Sequence, residues 1–290
     1  MMQQFSRIQI ACEDLSQAIA EFTQLLGATP CWQGQVTENL ANPASAAELE
    51  MSAPEVSEPY PVAWFYLENT LLELLPALAL NTRTGISGFT LKAESINPLA
   101  ESFAAGVRCW RNYQTAMDTG QSVDDRLAGL FREGAYREPL YRLDQAAANG
   151  LRIHISETEY LPLPESDVET RRIDHIVLRT NDGDACVRLL SEQLGLRLAL
   201  DQEKPEWGGR MLFFRSGKLT LEVIAPEGGL KAGDYFWGFA LKIADMDAEH
   251  ARLKKAGINV SELRTGRKPG TRVVTVKSHS GGVPALLVGE

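Results

Sequence analysis

Three features of this 290-residue sequence predict an α+β fold built from four strand–helix–three-strand units. A short segment, Gly-Phe-Thr-Leu-Lys from Gly88, returns as Gly-Phe-Ala-Leu-Lys from Gly238. A longer one, IACEDLSQAIAEFTQLLGATP near the start, is matched by IVLRTNDGDACVRLLSEQLGLRL from Ile176. Each longer segment is followed by two apolar strands, VAWFYLE and TLLELLP in the first half, RMLFFRSG and LTLEVIAP in the second. An internal repeat is read before local propensity, because it reveals the unit from which the fold is assembled.

The elements follow in order. The first unit, residues 5–76, opens with an apolar strand, turns through acidic residues, and runs as an amphipathic helix to a closing Leu-Gly. Asp at the start and Gly at the end are the expected helix signals. Within it, residues 35–60 are rich in Ala, Ser, Glu and Pro and read as a long loop insertion, either a mobile lid or a disordered segment. The second unit, 86–158, runs from the Gly88 strand through a helix in ESINPLAESFAAG to three strands. Residues 159–170, acidic and carrying two prolines, read as a linker between a first module (1–158) and a second (171–290). The third unit is 171–226. The fourth, 235–290, holds the Gly238 strand and the helix of ADMDAEHARLKKAG.

Composition narrows the function classes. The net charge of −9 disfavours nucleic acid and anionic membranes as partners, since both reward clustered Lys and Arg. Cys12, Cys31, Cys109 and Cys186 form no CxxC pair and read as free thiols in a reducing compartment. Neither a signal peptide nor a membrane-spanning run is visible, so a cytoplasmic monomer or homodimer with a small-molecule ligand is the expectation. Gly-rich phosphate loops, nucleophile elbows and zinc-ligand cysteine patterns are missing from the sequence.

Four such units, with IDHIVLRTND at one unit start and LTLEVIAP at one unit end, resemble the vicinal oxygen chelate superfamily of glyoxalases, bleomycin-resistance proteins and extradiol dioxygenases. The resemblance implies units paired into two curved mixed-sheet cups with helices on the convex face. It also implies metal ligands on the first and last strand of each unit. Carried over position by position, those places hold Arg7 and Glu73, Gly88 and His154, His175 and Glu222, then Gly238 and Ala285. Strand parity agrees: Phe239 and Leu241 fall on one face, while Gly238, Ala240 and Lys242 fall on the other; His154, His175 and Glu222 share the second parity.

Two pairings stay open. Units paired in chain order leave two plausible donors in each cup. Units paired second with third, and first with fourth, gather His154, His175 and Glu222 into a site for one divalent Fe, Mn, Ni or Zn ion. Each of these three residues also reads as a cup-lining side chain with an ordinary hydrogen-bond partner. Arg7, Glu73, Lys92, Arg179, Trp237 and Lys242 are the remaining candidates for lining a cup, with Trp64, Trp207 and Phe214 as aromatic walls or plain core. His250 and His279 read as exposed. A small-molecule-binding protein of unassigned reaction is the main functional expectation. A metal-dependent lyase, isomerase or dioxygenase is the alternative.

Overall fold

The computed structural model describes residues 4–40, 55–95, 106–115, 127, 131, 134–157, 171–231 and 233–290. Its strands form two sheets. The first contains β1 (Gln4–Cys12), β2 (Trp32–Leu40), β3 (Glu55–Val56), β4 (Tyr60–Leu67), β5 (Thr70–Pro76), β6 (Gly85–Lys92), β7 (Gly106–Thr115), β8 (Ala135–Leu143) and β9 (Arg152–Ser156). The second contains β10 (Arg172–Arg179), β11 (Arg197–Lys204), β12 (Gly209–Ser216), β13 (Leu219–Ala225), β14 (Tyr235–Lys242), β15 (Arg264–Thr265), β16 (Arg272–Val276) and β17 (Ala285–Gly289).

Helix α1 (Leu15–Leu26) follows β1. Helix α2 follows β10, winding as α over Gly183–Cys186 and as π over Val187–Gln193, and α3 (Met246–Lys255) follows β14. Asp14, Asp182 and Asp245 cap them by accepting from the backbone N–H of Gln17, Ala185 and Ala248. Such a cap satisfies one of the donors that a helix start leaves unpaired. The helix expected in the second unit falls mostly outside the described residues. The loop expected over 35–60 is shorter at both ends, because β2 runs on to Leu40 and strand pairing resumes at Glu55.

Pairing within and between units settles the topology. Strands β1 and β5 are parallel, as are β6 and β9, and β1 joins β6 antiparallel. The second sheet repeats this with β10 and β13, β14 and β17, and an antiparallel β10–β14 seam. Units therefore pair in chain order, which removes the pairing that would have gathered His154, His175 and Glu222.

The two sheets then differ. In the first, β2 also pairs with β7, from Gly34 opposite Thr115 to Leu40 opposite Cys109, and the sheet closes into a barrel. The second runs β11-β12-β13-β10-β14-β17-β16-β15 and stays open.

The predicted parity places the apolar side chains between sheets and helices. Ile176, Leu178, Leu221, Val223, Phe239 and Leu241 share one continuous core with Phe22, Leu25 and Leu26 of α1. Phe22 stacks on Phe239 at 6.4 Å between ring centroids, joining the two halves. Phe214 is part of this core, not of a cup wall. The repeated glycines have a steric reason: a methyl group added at Gly88 would strike the carbonyl oxygen of Arg152, and one at Gly238 that of Pro284. Close backbone approach is a common reason for glycine inside a strand.

Candidate functional site

An eight-stranded barrel has an interior just wide enough for side chains to fill, and the first sheet fills it. One end holds Trp32, Trp64, Tyr113 and Phe131, with Trp32 and Trp64 centroids 4.6 Å apart. The rest holds a charge network. Arg7, fully buried, donates to Glu138 (2.9 and 3.1 Å) and to the Tyr113 hydroxyl (2.8 Å), and its guanidinium lies 5.2 Å from the Trp64 ring centre. Glu73 accepts from Arg111 (2.8 Å), Gln9 (2.6 Å) and the Trp64 indole (2.9 Å). Burial pushes the Glu73 carboxyl upward, but Arg111 and Arg7 prevail and hold it at about 2. Burial likewise works against the charge on Arg7, yet Glu138, Tyr113 and Glu73 keep it firmly protonated. Arg7 and Glu73 are thus committed to ion pairs inside the closed barrel.

His154 is also buried there, and its neighbours in register are Thr90 and Arg142. Burial, reinforced by Arg111, Arg152 and Arg142, drives its pKa well below the ordinary imidazole range, so the ring is neutral. It is a member of the first sheet, while His175 and Glu222 belong to the second; the His/His/Glu metal site is not assembled. The expected match of His154 with Ala285 also slips by one residue: Thr90 pairs with His154, whereas the equivalent Ala240 pairs with Leu286.

The second sheet stays open and keeps His175 and Glu222 partly accessible on one face. His175 and Glu222 lie on neighbouring parallel strands, with Nδ1 and Oε1 3.7 Å apart and side chains 17% and 23% exposed. Asp174 accepts from His175 Nδ1 at 3.0 Å. A bulge between Ile173 and His175 in the pairing with β14 brings Asp174 beside its neighbour; strict alternation had sent it to the opposite face. Burial opposes a proton on His175, yet Asp174 and Glu222 raise its pKa above the ordinary value. Burial raises that of Glu222, against the pull of His175. Half-exposed Phe213, Ile224, Leu286 and Val288 share this face by parity. The Arg267 guanidinium sits 5.9 Å from the ring centre of Trp207, within electrostatic reach of Glu222.

Of the other expected positions, Arg179 and Lys242 lie at opposite ends of this face, Lys242 with Glu290 at 4.0 Å. Trp237 is 51% exposed at a bulge in β14. Lys92 is half-buried at the end of β6, opposite Ser156. His250 is buried against the Ser261 carbonyl, contrary to its expected exposure, because the chain after α3 folds back over the helix. Sequence reasoning missed Asp174, Arg267, Arg111 and Glu138. The Asp-His dipeptide was the only local signal; the others depend on pairing across distant strands.

The donors do not fit a three- or four-ligand metal centre. His175 and Glu222 are joined on the equivalent strands by Gly238 and Leu286, neither of which offers a side-chain ligand. In the barrel the corresponding places hold Arg7, Glu73 in its ion pairs, and His154 among arginines. Among the described residues no three His, Cys, Asp or Glu side chains converge on one point.

Residues 174–275 match the Glyoxalase/Bleomycin resistance protein/Dioxygenase superfamily. A triple mutant of 4-hydroxymandelate synthase from Streptomyces coelicolor aligns over 99% of this chain and 92% of its own, with TM-score 0.63 and 11% identity. Methylmalonyl-CoA epimerase from Mycobacterium tuberculosis aligns over 40% of this chain and 86% of its own, with TM-score 0.35 and 22% identity. A variant of the Streptomyces coelicolor epimerase in complex with 2-nitronate-propionyl-CoA covers 41% and 96%, with TM-score 0.35 and 26% identity. No curated protein matches. Residues 174–275 thus match that superfamily, and the likeness to 4-hydroxymandelate synthase shows that the whole chain shares the paired-unit fold.

Proposed function

We propose that this protein binds a small organic molecule on the open face of its second sheet, and that residues 1–158 serve as a companion module, joined to 171–290 through 159–170. One contrast carries the reading. At equivalent strand positions the first sheet holds Arg7 and Glu73 in buried ion pairs within a closed barrel, while the second holds His175 and Glu222 on an open face. Apolar walls with a few convergent polar groups of shifted pKa are the usual lining of a ligand site.

The chemistry available there is proton transfer. In the neutral ring, donation from Nδ1 to Asp174 leaves Nε2 of His175 as the acceptor a general base requires, while the raised pKa favours the imidazolium, which can act as an acid. The reaction is left unassigned. The metal-dependent alternative is not supported by the donor set.

Thermal unfolding of wild type and His175→Ala in the presence of a panel of small organic acids tests the reading. The expected result is a compound that raises the wild-type melting temperature and leaves the variant unmoved. Equal stabilisation of both proteins by every active compound refutes it.

A further inference from the structure

At the end of the barrel where β9 begins, one carboxylate serves three guanidinium groups. Glu38 accepts from Arg152 at 2.8 Å, Arg142 at 3.2 Å and Arg111 at 3.4 Å. Arg111 also donates to Glu73 at 2.8 Å while Arg7 is paired with Glu138, so four guanidinium groups (Arg7, Arg111, Arg142 and Arg152) share three carboxylates (Glu38, Glu73 and Glu138). Among the described residues the network is therefore one negative charge short. Burial, with Arg111 and Arg142 close by, lowers the Arg152 pKa although Glu38 is in contact.

Polar groups around the cluster have unused capacity. Both ring nitrogens of His154, the Tyr60 hydroxyl, the Thr90 hydroxyl and Nε of Arg152 are buried without a hydrogen-bond partner among the described residues. His154 Nε2 lies 4.0 Å from Glu38 Oε1, too far for a direct bond. Unsatisfied buried polar groups are few in folded proteins, and a group of them at one place calls for a partner. The place is reachable, since the side chains of Arg142 and Arg152 are 29% and 14% exposed while Glu38 and His154 lie behind them.

We propose that this barrel mouth, where Arg111, Arg142 and Arg152 share Glu38 beside His154 and Tyr60, binds a small oxyanion, a carboxylate or phosphate group. The anion bridges Arg142 and Arg152, whose guanidinium forks retain free N–H donors, and supplies the missing charge. This site is separate from the open face of the second sheet and does not depend on the function proposed for it.

Calorimetric titration of the full chain at low ionic strength, with inorganic phosphate in one arm and malonate in the other, tests it. At least one should bind saturably at one site with a Kd of about 1 mM or tighter. The arm that binds identifies phosphate or carboxylate. Arg142→Gln should weaken binding about tenfold or more, the loss expected for a charge-assisted hydrogen bond. Glu38→Gln, which removes the competing carboxylate, should tighten it; a residue of merely structural importance would not give opposite signs in these two variants. Arg267→Gln should leave it unchanged. The proposal is overturned by no saturable binding of either anion below about 10 mM. It is equally overturned by full affinity in folded Arg142→Gln, or by loss of binding in Arg267→Gln, which would put the anion on the second sheet.

Discussion

Replacing Glu73 with glutamine should destabilise the barrel more than any single change on its surface. Glu73 is fully buried and accepts from Arg111, Gln9 and the Trp64 indole, with Arg7 Nη1 at 3.5 Å. A carboxyl held at about 2, against 4.5 ordinarily, has its ionised form favoured by the fold by about 3 kcal/mol at neutral pH. Removal of one partner from a buried ion pair costs about 3–5 kcal/mol by an independent route, because the remaining charge stays buried. The two figures agree, so Glu73→Gln should lose about 3 kcal/mol and lower the melting temperature by about 10 °C. Urea unfolding at pH 7 followed by tryptophan emission measures it, with Trp32 and Trp64 reporting from inside the barrel. The stability contributed by a depressed carboxyl is fully present above its ordinary pKa and disappears as pH falls through the folded value. Wild type should therefore lose this contribution between about pH 4.5 and 2, and the variant should lack that acid limb. A Glu73→Gln protein within about 1 kcal/mol of wild type at pH 7 refutes the reasoning, since it would mean that the network does not need this charge.

Further outcomes follow from other contacts. His175 and Glu222 both have raised pKa values, so the stability they contribute is present at low pH and is lost as pH rises through their folded values. Melting temperature recorded from pH 4 to 9 should fall less steeply across the histidine range in His175→Ala, and an unchanged profile counts against the Asp174 contact. Gly238→Ala drives a methyl group into the Pro284 carbonyl and should cost about 1–3 kcal/mol in urea unfolding, as should Gly88→Ala against Arg152; a neutral effect in both would show that the strands part freely. Arg252, itself paired with Glu249, caps the last carbonyls of α1 by donating to Gln24 (3.0 Å) and Leu25 (2.6 Å). Arg252→Ala should therefore cost about 1–3 kcal/mol, and hydrogen exchange should show α1 fraying from its C-terminal end; protection equal to wild type argues that water replaces the arginine.

Much of the fold could be read in one dimension because its signals are local. Asp14, Asp182 and Asp245 announce helix starts, and the alternation in GFALK and LTLEVIA assigns faces without knowledge of any partner. The site was less legible. His175 and Glu222 were found through resemblance and parity, yet Asp174 escaped because a bulge breaks the alternation on which parity depends. His154 could be read as a metal ligand under one of two open pairings, because a pairing of units cannot be read from the units themselves. Arg111 and Glu138 were overlooked because a charged residue in a strand ordinarily points to solvent, and only closure of the barrel turns these inward.

The sequence by itself determined the repeated units, the starts of the helices capped by Asp14, Asp182 and Asp245, and the apolar parity of the strands around Phe239 and Leu221, since periodicity and capping act over a few residues. Tertiary structure alone decided which units share a sheet, that β2 meets β7 to close one barrel while the other sheet stays open, and that one charge set is consumed in ion pairs while the other faces solvent. Those outcomes rest on contacts between residues far apart in the chain. Their energies come from desolvation and strand closure, which no local window contains.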